Sequence, residues 1–179
     1  MNTFYFSLIF LAAGTLFTGF VWIFTAPHWR RLTMWRPVPL LFSLSNAMHL
    51  LSGFLFPLPL ELDVPIRSIG LTIFLVGVFV ACWAKFAMGK SWGMPAQHDE
   101  KTQSALVTHG PFSYSRNPIY VGMILMNFGT AIALKSAFIL LIFVIYNFIY
   151  TQILIEEQLL KKIFGKKYSD YLRAVPRFV

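Results

Sequence analysis

The chain has 179 residues, of which 57% are hydrophobic and only 12% charged, against about 25% charged in ordinary soluble domains; water is not its main solvent. A net charge of +8 would point to nucleic acid only if the basic residues shared a folded polar face, and here they flank apolar runs. The single cysteine, Cys82, lies inside an apolar run, which excludes an intramolecular disulfide and makes it a poor ligand or nucleophile.

Five apolar segments follow in order, roughly Phe4 to Thr25, Val38 to Leu60, Ile66 to Met88, Pro118 to Leu134 and Ser136 to Ile155. Each is close to the ~20 residues that cross a bilayer's hydrocarbon core. Met1 to Thr25 carries no Lys or Arg, so it lacks the basic start of a signal peptide and reads as a retained first span. The second segment holds a polar stripe, Ser45, Asn46, His49 and Ser52. A neutral histidine is cheaper to bury than a charge, and hydrogen bonding between helices is its expected role. Only Lys135, with Ser136 at the start of the fifth, separates the fourth and fifth segments, which predicts a tight helical hairpin, with Asn127 and Asn147 bonding across it and Gly122 and Gly129 on one face for close helix approach.

The basic residues orient the chain. Arg30, Arg31 and Arg36 sit in the first loop, Lys85, Lys90, Lys101 and Arg116 in or beside the third, and six more follow Glu156, leaving only Arg67 and Lys135 for the other side. The positive-inside rule places the first and third loops and the C-terminus in the cytoplasm, with the N-terminus outside. The expected fold is therefore an all-α, polytopic single membrane domain over residues 1–179. Residues 1–88 supply the N-terminal transmembrane helices, and residues 89–179 a polar loop, a C-terminal helical hairpin and a cytoplasmic tail.

In that tail Leu159, Leu160, Ile163 and Phe164 fall at helical spacing opposite Lys161 and Lys162, and Gly165 offers a stop. The pattern predicts an amphipathic helix along the headgroups, with Lys166 and Lys167 drawn to anionic lipid. The third loop carries turn signals at Gly110-Pro111 and Asn117-Pro118. Pro118 suits the first position of a helix, and a helix N-terminus beside Arg116 is a ready carboxylate site. Glu156 and Glu157 stand where the fifth segment leaves the membrane and need a cation, supplied by Lys161 and Lys162 one turn on or by a bound ligand. A ligand with a carboxylate at one end and cationic groups at the other satisfies both clusters. S-adenosylmethionine is one, with Arg116 on the carboxylate, Glu156 or Glu157 on the ammonium, and Val107, Thr108 and His109 with Tyr114 or Tyr120 around the adenosine.

The ordered set Leu106-Val107-Thr108-x-Gly110-Pro111-x-x-Tyr114-x-Arg116-Asn117-Pro118-x-Tyr120-x-Gly122, Glu156-Glu157-x-x-Leu160, Phe164-Gly165-x-x-Tyr168-x-x-Tyr171 and Val175-Pro176-Arg177 resembles the isoprenylcysteine carboxyl methyltransferase family of membrane enzymes. The likeness covers about the last 90 residues, with Ser91-Trp92 a weaker outlier. It implies an all-helical membrane fold and an S-adenosylmethionine pocket built from the third loop, the terminal hairpin and the tail. Its cofactor residues here would be Val107, Thr108, His109, Gly110, Tyr114, Arg116, Asn117, Pro118, Tyr120, Glu156 and Glu157. Its partners would be membrane lipids and a lipophilic small-molecule acceptor entering from the lipid, with no nucleic acid.

Two positions depart from the family's pattern. Asn117 stands where the family often has histidine, and its polar side chain preserves cofactor binding. Gln152 stands one turn before Glu156 where the prenylcysteine enzymes tend to have arginine, and it would suit a neutral acceptor group rather than a carboxylate. Arg116, Glu156, Gln152 and His109 are the expected catalytic residues. Methyl transfer from a sulfonium needs mainly alignment, and His109, with an ordinary pKa near 6.5, is the base if the acceptor is protonated.

Two other readings compete. A sterol-reductase-like membrane enzyme would use NADPH, but the loop offers few basic residues for the extra phosphates. A scaffold or small transporter would use the stripe around His49, but the internal repeats common in transporters are not visible. His98, Asp99 and Glu100 lack a convincing ligand spacing, and no metal is expected. Oligomeric state is not legible.

Overall fold

The computed structural model describes residues 3–24, 37–59, 63–91 and 105–178. Within them every long element is a helix: α1 (Thr3–Phe24), α2 (Pro37–Leu55), α3 (Asp63–Met88), α4 (Pro118–Ala133), α5 (Leu141–Phe164) and α6 (Lys166–Ala174), with 3-10 turns at Gly89–Ser91 and Gly110–Ser113. Thr3–Ile23 and Asp63–Met88 are long and apolar enough to cross a membrane, and Leu40–Leu55 and Pro118–Ala133 are shorter apolar helices. Leu16, Phe54, Phe79 and Phe143 on the outer faces of α1, α2, α3 and α5 are all more than half exposed. A surface so covered with large apolar side chains suits lipid, not water.

Several ends differ from the sequence expectation. Helix α3 starts at Asp63, one turn early, because an acidic residue is favourable in a helix's first turn and Pro65 is tolerated there. Helix α2 ends at Leu55, just before Pro57 and Pro59. Helix α5 begins only at Leu141. Ser52 Oγ accepts the Ala137 N–H at 2.9 Å and Ser136 Oγ accepts the Phe138 N–H at 3.2 Å, so two hydroxyls hold the backbone in a turn that would otherwise be helix. At its other end α5 runs past the apolar run to Phe164, so Glu156 and Glu157, where the apolar segment ends, lie inside a continuing helix. Gly165, at φ +53°, stops it where the sequence predicted, and α6 begins at Lys166.

The core seam joins α3 to α4. A Cβ on Gly70 would lie 2.3 Å from the Ala133 nitrogen, on Gly77 2.6 Å from the Met126 nitrogen, on Gly122 2.8 Å from the Ala81 nitrogen and on Gly129 2.4 Å from the Phe74 nitrogen. Small residues thus let the two backbones touch. The expected hairpin is corrected here, because α4 is fastened along α3, with far less contact to α5.

The polar stripe of α2 does bridge helices. His49 pairs through Nδ1 with Ser136 Oγ at 3.0 Å and through Nε2 with Asn127 Oδ1 at 3.4 Å, and Asn127 donates to Ser45 Oγ at 2.9 Å. Asn147 does not join them. It donates to Phe143 O of its own helix at 2.7 Å, so no asparagine pair spans α4 and α5. At the far end from the polar loop, Asp63 accepts from Thr3, from Arg67 Nε at 2.9 Å and from Lys135 Nζ at 2.7 Å. His98, Asp99 and Glu100 lie outside the described residues.

Candidate functional site

The segment 105–120 is folded by its turn residues. Gly110 takes φ +63°, a left-handed value that glycine tolerates at little cost, and Pro111 starts a 3-10 turn. Asn117 precedes Pro118 at the start of α4, but its side chain does not cap the helix. Instead Asn117 Nδ2 donates to Arg177 O at 3.1 Å, Ser115 Oγ donates to the same oxygen at 3.0 Å, and the Arg116 N–H donates to Pro176 O at 3.0 Å. The segment 175–178 therefore straps the loop from outside.

Beneath the strap lies an open cavity of about 600 Å³ including its mouth. The loop side of its wall is Leu106, Val107 and Phe112, the α4 side Arg116, Asn117, Pro118 and Tyr120, and the far side Glu156 and Leu160 of α5 with Tyr168 and Tyr171 of α6. Met88 closes the end of α3. The wall is mostly apolar, with one cation and one carboxylate among the described residues lining it.

The charged groups are held from behind. Tyr120 OH donates to Glu156 Oε1 at 2.6 Å, and Glu156 is 9% exposed. Arg116 Nη1 lies 3.2 Å from Glu157 Oε1, while its Nε is buried with no hydrogen-bond partner among the described residues. Arg177 grips Glu157 with two bonds, Nε to Oε1 at 3.0 Å and Nη2 to Oε2 at 2.8 Å, and its third nitrogen, Nη1, donates to Tyr150 OH at 2.8 Å. That carboxylate raises the already high pKa of Arg177. Burial raises Tyr168 well above the ordinary tyrosine value, with Glu157 adding to the shift, and pushes Tyr171 up to about 12. Both phenols stay neutral, and Tyr171 OH donates to Phe112 O at 2.6 Å.

Of the expected cofactor residues, Val107, Arg116, Asn117, Pro118, Tyr120 and Glu156 line this cavity. The others do not. Thr108 lines a separate surface hollow, Tyr114 is 64% exposed, His109 is exposed on the loop, Gly110 packs towards Trp83, and Glu157 stands behind Arg116. Gln152 is half-buried on α5 and is not part of the wall. The cations that compensate Glu157 are Arg116 and Arg177, in place of the expected Lys161 and Lys162. Phe112, Tyr168, Tyr171 and Arg177 escaped assignment from sequence, although all but Phe112 belong to the motif set; nothing in periodicity marks them as one site.

Residues 66–167 match the model of a family described as phospholipid methyltransferase. The chain belongs to the phospholipid methyltransferase family. Its relatives include a probable protein-S-isoprenylcysteine O-methyltransferase of Oryza sativa subsp. indica, 27% identical over 93% of this chain and 92% of that protein. Protein-S-isoprenylcysteine O-methyltransferase B of Arabidopsis thaliana is 29% identical over 62% of this chain and 57% of its own length. The enzyme of that name from Tribolium castaneum is 29% identical over 62% of this chain and 40% of its own length. The resemblance read from the motifs is thus borne out, and the chain is a membrane-integral methyltransferase. The stripe that a transporter would have needed is occupied in bonding α2 to α4.

Proposed function

We propose that this family member transfers the methyl group of S-adenosylmethionine to a lipophilic acceptor dissolved in the membrane. The observation that carries this reading is one cavity walled by both Arg116, whose buried Nε has no partner among the described residues, and Glu156, anchored by Tyr120. The residues fit the cofactor's groups. A guanidinium with a spare donor suits a carboxylate, a fixed carboxylate suits an ammonium, and Val107, Phe112 and Tyr120 give an apolar, aromatic wall. When bound, the cofactor supplies an activated methyl group. The chain's own part is to orient both reactants and exclude water, and positioning alone lowers a barrier by several kcal/mol.

In this reading residues 89–179 form the catalytic region on the cytoplasmic side, with the amphipathic end of α5, Leu159 to Phe164, along the headgroups and the N-terminus outside. Charge supports the orientation. The two cations assigned to the outer side, Arg67 and Lys135, are both bound to Asp63, so the excess of positive charge lies at the other end.

The relatives' printed names make an isoprenylated cysteine one candidate acceptor. A specific observation favours an uncharged acceptor instead. Arg116 is the one cation among the described residues of the wall, and once it holds the cofactor, an entering carboxylate has no partner to offset its desolvation. Gln152 adds no charge. Calorimetric titration with S-adenosylmethionine and with NADPH tests the cofactor, and micromolar binding of the first alone is expected. Transfer of labelled methyl in liposomes to a farnesylcysteine peptide and to a long-chain alkylphenol tests the acceptor. Binding of NADPH alone overturns the first reading, and efficient methylation of the peptide alone overturns the second.

A further inference from the structure

Arg116 can hold a ligand carboxylate only if its fork is not already closed by a protein carboxylate. Glu157, with its side chain 13% exposed, lies beside it. A carboxylate that poorly solvated takes the best cation within reach, and the best geometry for an arginine is the two-bond fork. The fork goes to Arg177. Both oxygens of Glu157 are bonded to Nε and Nη2 of Arg177, at 3.0 and 2.8 Å, whereas Arg116 reaches one of those oxygens through Nη1 alone, at 3.2 Å, and its Nε has no hydrogen-bond partner among the described residues.

Arg177 is in turn fixed from three sides. Its guanidinium stands over the Tyr150 ring at 5.1 Å and donates to that residue's hydroxyl, and its carbonyl takes bonds from Ser115 and Asn117 on either side of Arg116. The next residue, Phe178, packs on Tyr146 at 5.8 Å.

We propose that Arg177 is a positioning residue that diverts Glu157 from Arg116 and so keeps Arg116 open to the carboxylate of the cofactor. The proposal rests on the cofactor reading above. Remove the Arg177 side chain, and among the described residues Arg116 is the cation left paired with Glu157; the pair closes, and a ligand carboxylate must break it to enter. Remove the charge of Glu157 as well, and Arg116 is open again. A role confined to strapping the loop predicts no such recovery.

The test is calorimetric titration of the full chain in detergent with S-adenosylhomocysteine, which carries the carboxylate, and with methylthioadenosine, which does not. Arg177→Ala should weaken the first about tenfold or more, the scale of one charge-assisted hydrogen bond, and leave the second within about threefold. Arg177→Ala/Glu157→Gln should restore the first to within about threefold of the unmodified protein. Arg177→Gln serves as a second variant should the alanine form fail to fold, as judged by thermal unfolding. Equal losses for both ligands, or no recovery in the double variant, overturn the proposal. Failure of the unmodified protein to bind either ligand overturns the cofactor reading and this inference with it.

Discussion

The phenol of Tyr120 donates a 2.6 Å hydrogen bond to Glu156 Oε1, joining the first turn of α4 to the middle of α5 at the cavity wall. Removing one partner of a buried charged group costs about 1–3 kcal/mol. Tyr120→Phe should therefore weaken S-adenosylhomocysteine binding about tenfold, read by calorimetry. An unchanged affinity would mean that Glu156 needs no orientation by α4.

The α3–α4 seam predicts a sharp contrast between glycines. Gly129→Ala places a methyl 2.4 Å from the Phe74 backbone nitrogen, whereas Gly19→Ala meets nothing within 4 Å. The first should destabilise by about 1–3 kcal/mol or more, through forced separation of the helices. The second should be neutral or slightly stabilising, since alanine is the better helix former. Thermal unfolding in one detergent compares them, and equal midpoints would refute the seam.

His49→Ala should lower stability by about 1–3 kcal/mol, because Ser136 and Asn127 lose a buried partner. Its effect on cofactor affinity should be small, as the network lies outside the cavity wall. A large affinity loss with unchanged stability would reverse that assignment.

Gln152→Arg would place a cation on α5 one turn before Glu156. It should shift methyl transfer from the alkylphenol toward the farnesylcysteine carboxylate, measured as the ratio of kcat/KM for the two. A ratio that does not move would show that this position does not face the acceptor.

Alkaline pH should loosen the tail. The folded pKa of Tyr171 is raised from 10.0 to about 12 by burial, so the folded state holds the proton more tightly than the unfolded chain. The corresponding stability is complete below pH 10 and is lost as pH rises through 12. The unfolding midpoint of the unmodified protein should fall through this window more steeply than that of Tyr171→Phe.

The sequence by itself determined what is local or additive. Apolar runs with charge kept to their ends gave helices suited to lipid, and Gly165 marked the end of α5. The motifs from Leu106 to Gly122 carried the family, and Arg116, Tyr120 and Glu156, expected from sequence to hold the cofactor, do line one cavity. Tertiary structure alone decided the partners. That α4 lies on α3, that Asn127 bonds to α2 and not to Asn147, and that Arg177 takes Glu157 from Lys161 and Lys162 depend on contacts between residues 20 to 82 positions apart in the chain. Helical periodicity reports which face is apolar, but not which helix covers it. A charge's sequence neighbours likewise do not reveal which cation the folded backbone brings to its oxygens.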